Sequence, residues 1–187
     1  MMSGVLEVIK KRRSIRAFKS DQISDEQLQT ILQAALMAPS AMNQQKWHFS
    51  IVQDQDLLGK MVEIIKDSIM KSDNEFLKSK ASNPNYHSFH HAPTVIMISG
   101  DERAPWIDID CAMAAQNIAL AAEALGLGSC IIGSAGPVFV SEQAARFKEK
   151  LGMPEGYKHV IAVSLGYKAG DNPAAPDRNR NVITYVK

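Results

Sequence analysis

Arg12, Ser14 and Arg16 alternate within KRRSIRAF, residues 11–18. Residues two apart on an extended segment share a face. The stretch therefore offers two guanidinium groups and a hydroxyl to one ligand. Guanidinium groups bind phosphate through paired, charge-assisted hydrogen bonds, and a serine hydroxyl adds a neutral donor. The chemistry would be capture of a compact anion. The same residues are equally well a basic helix end. Val5, Leu6, Val8 and Ile9 give a short amphipathic helix with Ser3 as N-cap, and Lys10 to Arg13 suit the negative end of its dipole.

Three other stretches invite a chemical reading. APSAMNQQKWHF, 38–49, joins a helix to a strand with a tight Pro39-Ser40-Ala41 turn, then crowds Asn43, Gln44 and Gln45 together. Alone it is also a helix-stopping loop with polar filler. GLGSCIIGSAG, 126–136, has glycines that permit close backbone approach to a planar ligand. Its spacing is not the dinucleotide fingerprint, and no strand precedes it. Arg178 and Arg180 lie in a polar tail, where exposed charge is an equally good account.

Acid–base and metal chemistry find little support. There is no Gly-x-Ser-x-Gly elbow. His90 and His91 are adjacent rather than four apart, so they are no helical metal pair. Asp108 and Asp110 read as capping residues at a helix start, and His48 as a packed strand residue. No metal site is expected. Two distant cysteines, Cys111 and Cys130, form neither a disulfide framework nor a zinc pattern, which fits a reducing compartment.

Composition narrows the class. The net charge is +1 over 187 residues, with 45% hydrophobic and 22% charged residues. A near-neutral chain is a poor general nucleic-acid binder, because that affinity comes from phosphate neutralisation. So the basic cluster needs a local ligand. No apolar run reaches membrane-spanning length. The first residues place apolar before basic, the reverse of a secretion signal. A cytoplasmic protein is expected.

The elements that must position these residues follow from periodicity. Ser24-Asp-Glu-Gln27 has capping-box spacing, and Leu28, Ile31, Leu32, Ala35 and Leu36 repeat as one helical face up to Pro39. WHFSIVQ, 47–53, PTVIMIS, 93–99, and HVIAVSLGY, 159–167, read as strands, and SCIIGS, 129–134, as a short strand or loop. Leu58, Met61, Val62, Ile65 and Ile69 mark a third helix. Residues 108–125 are apolar on nearly every face, predicting a helix buried all round in the core or at a subunit interface. Ser141 starts a further helix that Gly152 and Pro154 stop. Residues 71–91 show no clean period and read as an excursion or lid. After an irregular tail, VITYV, 182–186, reads as a last strand, well placed to reach a neighbouring subunit. One domain, 1–187, with a C-terminal arm from about 169, accounts for the whole chain.

Four segments in order resemble the nitroreductase family of flavoproteins. They are basic-R-S-x-R-x-F, A-P-S-A-x-N-x-Q-x-W-x-F, D-x-x-x-A-A-Q-N-x-x-L-A-A-x-A-L-G-L-G, and an arginine before the last strand. The resemblance implies an α+β fold with a central, mainly antiparallel sheet flanked by helices. It implies an intertwined homodimer with a swapped C-terminal strand and two FMN molecules at the interface. Arg12 and Ser14, with Arg13 beside them, would hold the flavin phosphate, and Arg16 would reach the pyrimidine end of the ring. Pro39, Ser40, Ala41 and Asn43 would come from the other subunit. Ile132, Gly133 and Ser134 would pack near N5, and Arg178, with Arg180 second, would close on the phosphate. The implied activity is ping-pong hydride transfer from NADH or NADPH through FMN to a nitroaromatic, quinone or similar acceptor. Enone reduction, dehalogenation, flavin destruction or flavin binding without catalysis are the alternatives. Two departures stand out: Lys46 occupies the place where the family often has proline before the tryptophan, and residues 71–91 are the part that the resemblance covers least.

Overall fold

The structure is a computed structural model and describes residues 4–187. Ser3, expected as a cap, lies outside the described residues. The first helix, α1, spans Gly4–Lys11 and buries none of its residues. Helix α2, Asp25–Leu36, starts as its sequence predicts. The Ser24 Oγ accepts from the Gln27 N–H at 3.2 Å, and the Gln27 Oε1 accepts from the Ser24 N–H at 3.0 Å. That reciprocal pair satisfies two backbone donors that a helix start leaves open.

Four antiparallel strands form one sheet. They are β1, Trp47–Val52; β2, Thr94–Asp101; β3, Gly128–Ile132; and β4, Tyr157–Gly166, in the order β1-β2-β4-β3. Every residue of β2 is buried, because both sheet faces are covered. The period of two sends Ile96 and Ile98 to one side and Val95 and Met97 to the other. The first side is covered by α2 and by α5, Ile107–Ala124, through Ile31, Ala35, Ile118 and Ala122. The second is covered by α3, Gln55–Met70, and by α6, Ala144–Lys150, through Leu58, Met61, Ile65 and Phe147. The result is an α+β domain of three layers with two cores.

Several sequence expectations change. The segment 71–91 contains a helix, α4, Glu75–Ala81, capped by the Asn74 side chain accepting from the Leu77 N–H at 3.0 Å. Its short length and charged residues hid it. Within one chain the core does not cover α5 all round, since Ile109 is 53% exposed and the preceding Trp106 56%, which leaves the subunit-interface reading of this helix. Neither aspartate at its start caps it. Asp108 pairs with Lys158 at 2.8 Å, and Asp110 bonds elsewhere. Ser141 is not the cap of α6, whose N-cap position is Gln143. Residues 182–186 form no strand within the chain, and Val182, Ile183, Tyr185 and Val186 are all well exposed.

Candidate functional site

The segment after α1 runs along the free edge of β3. Ser14 pairs in parallel with Ser129, and the Ile15 N–H donates to the Ser129 carbonyl at 2.8 Å. Phe18 bridges Lys168, and the Lys19 N–H donates to the Tyr167 carbonyl at 2.9 Å. Ile15 is the buried pin of this segment. It packs on Gly128, where a Cβ would come within 2.9 Å of the Ile15 Cγ2. With Ile15 turned inward, its neighbours Ser14 and Arg16 turn outward. Both line a hollow of about 340 Å³ with Ala169, Gly170 and Asp171 of the C-terminal arm.

Arg13 faces differently. Its Nη1 donates to the carbonyls of Lys10 and Arg12, each at 2.7 Å, and its buried Nε has no partner. The guanidinium therefore closes the C-terminal end of α1, the helix-end role that the basic cluster also allowed. Only one of the three arginines is so occupied.

Arg16 also enters a larger cleft of about 880 Å³. The floor is the end of β3 and the loop after it, Cys130 to Ser134. Apolar walls come from Ile69, Leu77 and Pro137, and the roof is α4 with the turn that follows it. Arg16, Ile132, Gly133 and Ser134, four expected site residues, thus meet here. Gly133 has open space where a Cβ would stand, so the backbone itself faces the cleft. No aspartate or glutamate lines it. The Cys130 thiol at the floor is pushed up by burial, an effect that Arg16 and Arg12 oppose. It stays a neutral thiol and not a nucleophile.

The roof holds residues that sequence reasoning did not select: Lys80, His87, His90 and His91. The His87 Nδ1 accepts from the N–H groups of both Phe89 and His91 at 3.2 Å. That leaves the proton of the neutral ring on Nε2. Burial, then His91 and His90, hold the His87 pKa down to about 4. His90 is also lowered, first by burial, then by the Arg16 guanidinium and His91. His90 and His91 have left-handed backbones, φ 56° and 53°, a conformation that costs non-glycine residues on the order of 1 kcal/mol or more. The cluster of histidines in HSFHH was the available signal, and it was legible only as a failed metal pair. Among the described residues no group of three His, Cys, Asp or Glu could hold a metal.

The loop at 39–45 lies elsewhere. It leads into β1, at the opposite edge of the sheet from β3. Three strand spacings of about 4.8 Å separate the two edges. Pro39, Ser40, Ala41 and Asn43 are therefore not brought to Arg16 within one chain. The loop is nonetheless built tightly. Met42, Asn43 and Gln45 all have positive φ, near 51°. The Ser40 Oγ accepts from the Gln45 N–H at 3.0 Å, and the buried Asp110 carboxylate accepts from the Ala41 N–H at 3.1 Å. Lys46, the departure from the family pattern, bonds at 3.3 Å to Asp101, which also holds Arg103 at 3.0 Å. Its charge is compensated there. Arg103 and Lys46 together hold the Asp101 carboxyl well below the usual range. Arg178 and Arg180 are exposed and line neither cleft.

This sheet with its two helical layers matches known proteins. The Nitroreductase family model matches residues 9–167, and the chain belongs to that family. It is 36% identical to a nitroreductase from Bacteroides fragilis solved with bound FMN, with all of both chains covered and a TM-score of 0.90. It is 30% identical to the NADPH-flavin oxidoreductase of Vibrio harveyi over 97% of this chain and 69% of that one. It is also 28% identical to the iodotyrosine deiodinase of Thermotoga neapolitana, over 98% of both. No helix among the described residues is long and apolar enough to cross a membrane.

Proposed function

We propose that the chain is an FMN-dependent oxidoreductase, passing reducing equivalents from NADH or NADPH to a nitroaromatic, quinone or similar conjugated acceptor. The observation that carries the reading is the meeting of Arg16 with Ile132, Gly133 and Ser134 in one acid-free cleft. Its donor set suits an FMN: a guanidinium for an electron-rich ring edge, open backbone at Gly133, and apolar walls for a planar body. Bound FMN would accept hydride at N5 and return two electrons to the acceptor.

The residues have separable tasks. Arg12 and Ser14, beside the arm, hold the phosphate, and Arg178 or Arg180 closes on it. Arg16 keeps fixed positive charge near the pyrimidine end, where reduction leaves negative charge at N1 and O2. The backbone at Ile132–Ser134 orients the ring. No protein acid–base pair is required, which fits the neutral Cys130 and the uncharged His87. A single cleft for donor and acceptor gives ping-pong kinetics.

A second copy of the chain completes the site. The loop at Pro39–Asn43 is too far across the sheet to serve its own cleft, so it serves the partner's. Exposed Val5 and Ile9 of α1, Ile109 of α5, Trp106, and the arm residues Val182, Ile183 and Tyr185 are the apolar surface such a dimer covers. The setting is the cytoplasm, in keeping with two unpaired cysteines. The deiodinase relative supports dehalogenation as the second reading. Turnover of a panel of nitroaromatic, quinone, enone and halophenol acceptors with each nicotinamide separates the two. Nitroaromatic and quinone turnover supports the first, and halide release alone supports the second.

A further inference from the structure

We propose that Lys80, His90 and His91 form an oxyanion subsite in the roof of the cleft, which takes an anionic group of the substrate stacked over the floor. The proposal rests on the flavin reading above and names the substrate chemistry that reading leaves open. Its basis is the charge distribution of α4 and the construction of the turn beneath it.

The two lysines of α4 are treated differently. Lys78 is neutralised within its own helix by Glu75 at 2.9 Å. Lys80 lines the cleft, and among the described residues it makes no ion pair. Its ammonium instead lies 4.2 Å from the centroid of the Phe76 ring. Phe76 is exposed and does not itself line the cleft, so the ammonium stands at the rim with its charge uncancelled. With no carboxylate lining the cleft, the field inside is positive.

The turn at 87–91 adds neutral donors. His87 is its hub: the Nδ1 collects the backbone N–H groups of Phe89 and His91, and the ring lies tilted against that of His91 with centroids 4.1 Å apart. These bonds support left-handed backbone at two successive non-glycine residues, His90 and His91, both of which line the cleft. Strain of that kind persists where the surroundings enforce it. Burial first, then the Arg16 guanidinium and His91, push the His90 pKa down, which favours the neutral ring as a donor that adds no charge. The walls are apolar, at Ile69, Leu77, Ile131 and Pro137. A planar conjugated body bearing one carboxylate fits this lining. So does a nicotinamide dinucleotide, whose oxyanions are phosphates, and the two sources separate experimentally.

The test compares wild type, Lys80→Met and Lys80→Arg. Met keeps a chain over Phe76 and removes the charge, whereas Arg restores it. The acceptors are 4-nitrobenzoate and its neutral methyl ester, each with NADH and with NADPH, with FMN content measured for every variant. The expected result is that Lys80→Met raises the KM for the carboxylate roughly tenfold more than the KM for the ester, and that Lys80→Arg recovers most of it. A rise confined to the nicotinamide KM keeps the subsite and assigns it to a phosphate. Equal effects on both acceptors with unchanged nicotinamide KM, or no effect at all, overturn it. Calorimetric binding of benzoate to wild type and Lys80→Met separates this failure from that of the flavin reading. Weaker benzoate binding by Lys80→Met in protein that lacks FMN sustains the subsite alone. Equal benzoate binding together with an unchanged nicotinamide KM, in a protein with normal flavin turnover, removes the subsite and leaves the flavin.

Discussion

Ala41 and Asp110, 69 positions apart, are joined by a backbone N–H that donates to a buried carboxylate at 3.1 Å. The bond ties the first turn of α5 to the loop that carries Ser40 and Asn43. That loop includes three non-glycine residues with left-handed backbone, so it needs external support. Asp110→Ala removes the acceptor and leaves the Ala41 donor open, at a cost of about 1–3 kcal/mol. Asp110→Asn keeps an acceptor and should recover most of the loss. Thermal melts and FMN titration of both variants check this. If the alanine variant binds FMN as wild type does, the loop lies outside the cofactor site.

Gly128 and Ile15 make a second such link. A Cβ at Gly128 would come within 2.9 Å of the Ile15 Cγ2, so Gly128→Ala must displace the segment that carries Ser14 and Arg16. Overpacking of this kind costs about 1–3 kcal/mol. The expected signature is loss of FMN affinity along with the fall in stability. Equilibrium dialysis of FMN against the variant measures it.

The arginines of the opening cluster should separate by phenotype. Arg12→Ala weakens FMN retention by roughly one to two orders of magnitude, as expected for loss of one phosphate contact. Arg16→Ala retains FMN better but lowers the flavin reduction potential, because positive charge near N1 and O2 favours the reduced form. Arg13→Ala lowers stability, since its guanidinium serves the end of α1. Spectroelectrochemistry and dialysis distinguish the three, and an unchanged potential in Arg16→Ala refutes its assigned place.

Stability should fall in mild acid through buried histidines. Burial holds His159 down to about 4, and both of its ring nitrogens lack partners beneath Phe139, which stacks on it at 4.5 Å. His87 is likewise held down to about 4. In the unfolded chain these groups titrate near 6.5. Between those values the unfolded state binds more protons, so stability is full above about pH 6.5 and declines toward about pH 4. His159→Phe preserves the stack and removes one titrating group. Its Tm should fall less than that of wild type between about pH 7 and about pH 5. An identical fall in both proteins would show that His159 titrates normally.

Much of the fold was legible because its cues are local. The capping box at Ser24 and the continuous apolar run through Val95 to Ile98 each announce one element. The site was legible only in part. Arg16 and the loop at Ile132–Ser134 share a motif order that carried them to one cleft. Lys80 and His87–His91 do not, because their placement depends on α4, seven residues whose helical character rests on an Asn74 cap and not on an apolar stripe. The aspartates at the start of α5 depart from the capping expectation for a related reason. Sequence shows an acid at a helix start but not the distant Ala41 N–H that Asp110 serves. The arm at 182–186 is rich in strand-forming residues yet forms no strand among the described residues, because strand propensity is met only where a partner edge is at hand.

The most direct measurement is an anaerobic titration of the purified protein with NADH and with NADPH, followed by flavin absorbance. The account predicts a yellow protein with one FMN for each chain, bleached by at least one nicotinamide and recoloured by an added quinone or nitroaromatic. A colourless protein that binds no added FMN would contradict it, as would bound flavin that neither nicotinamide reduces.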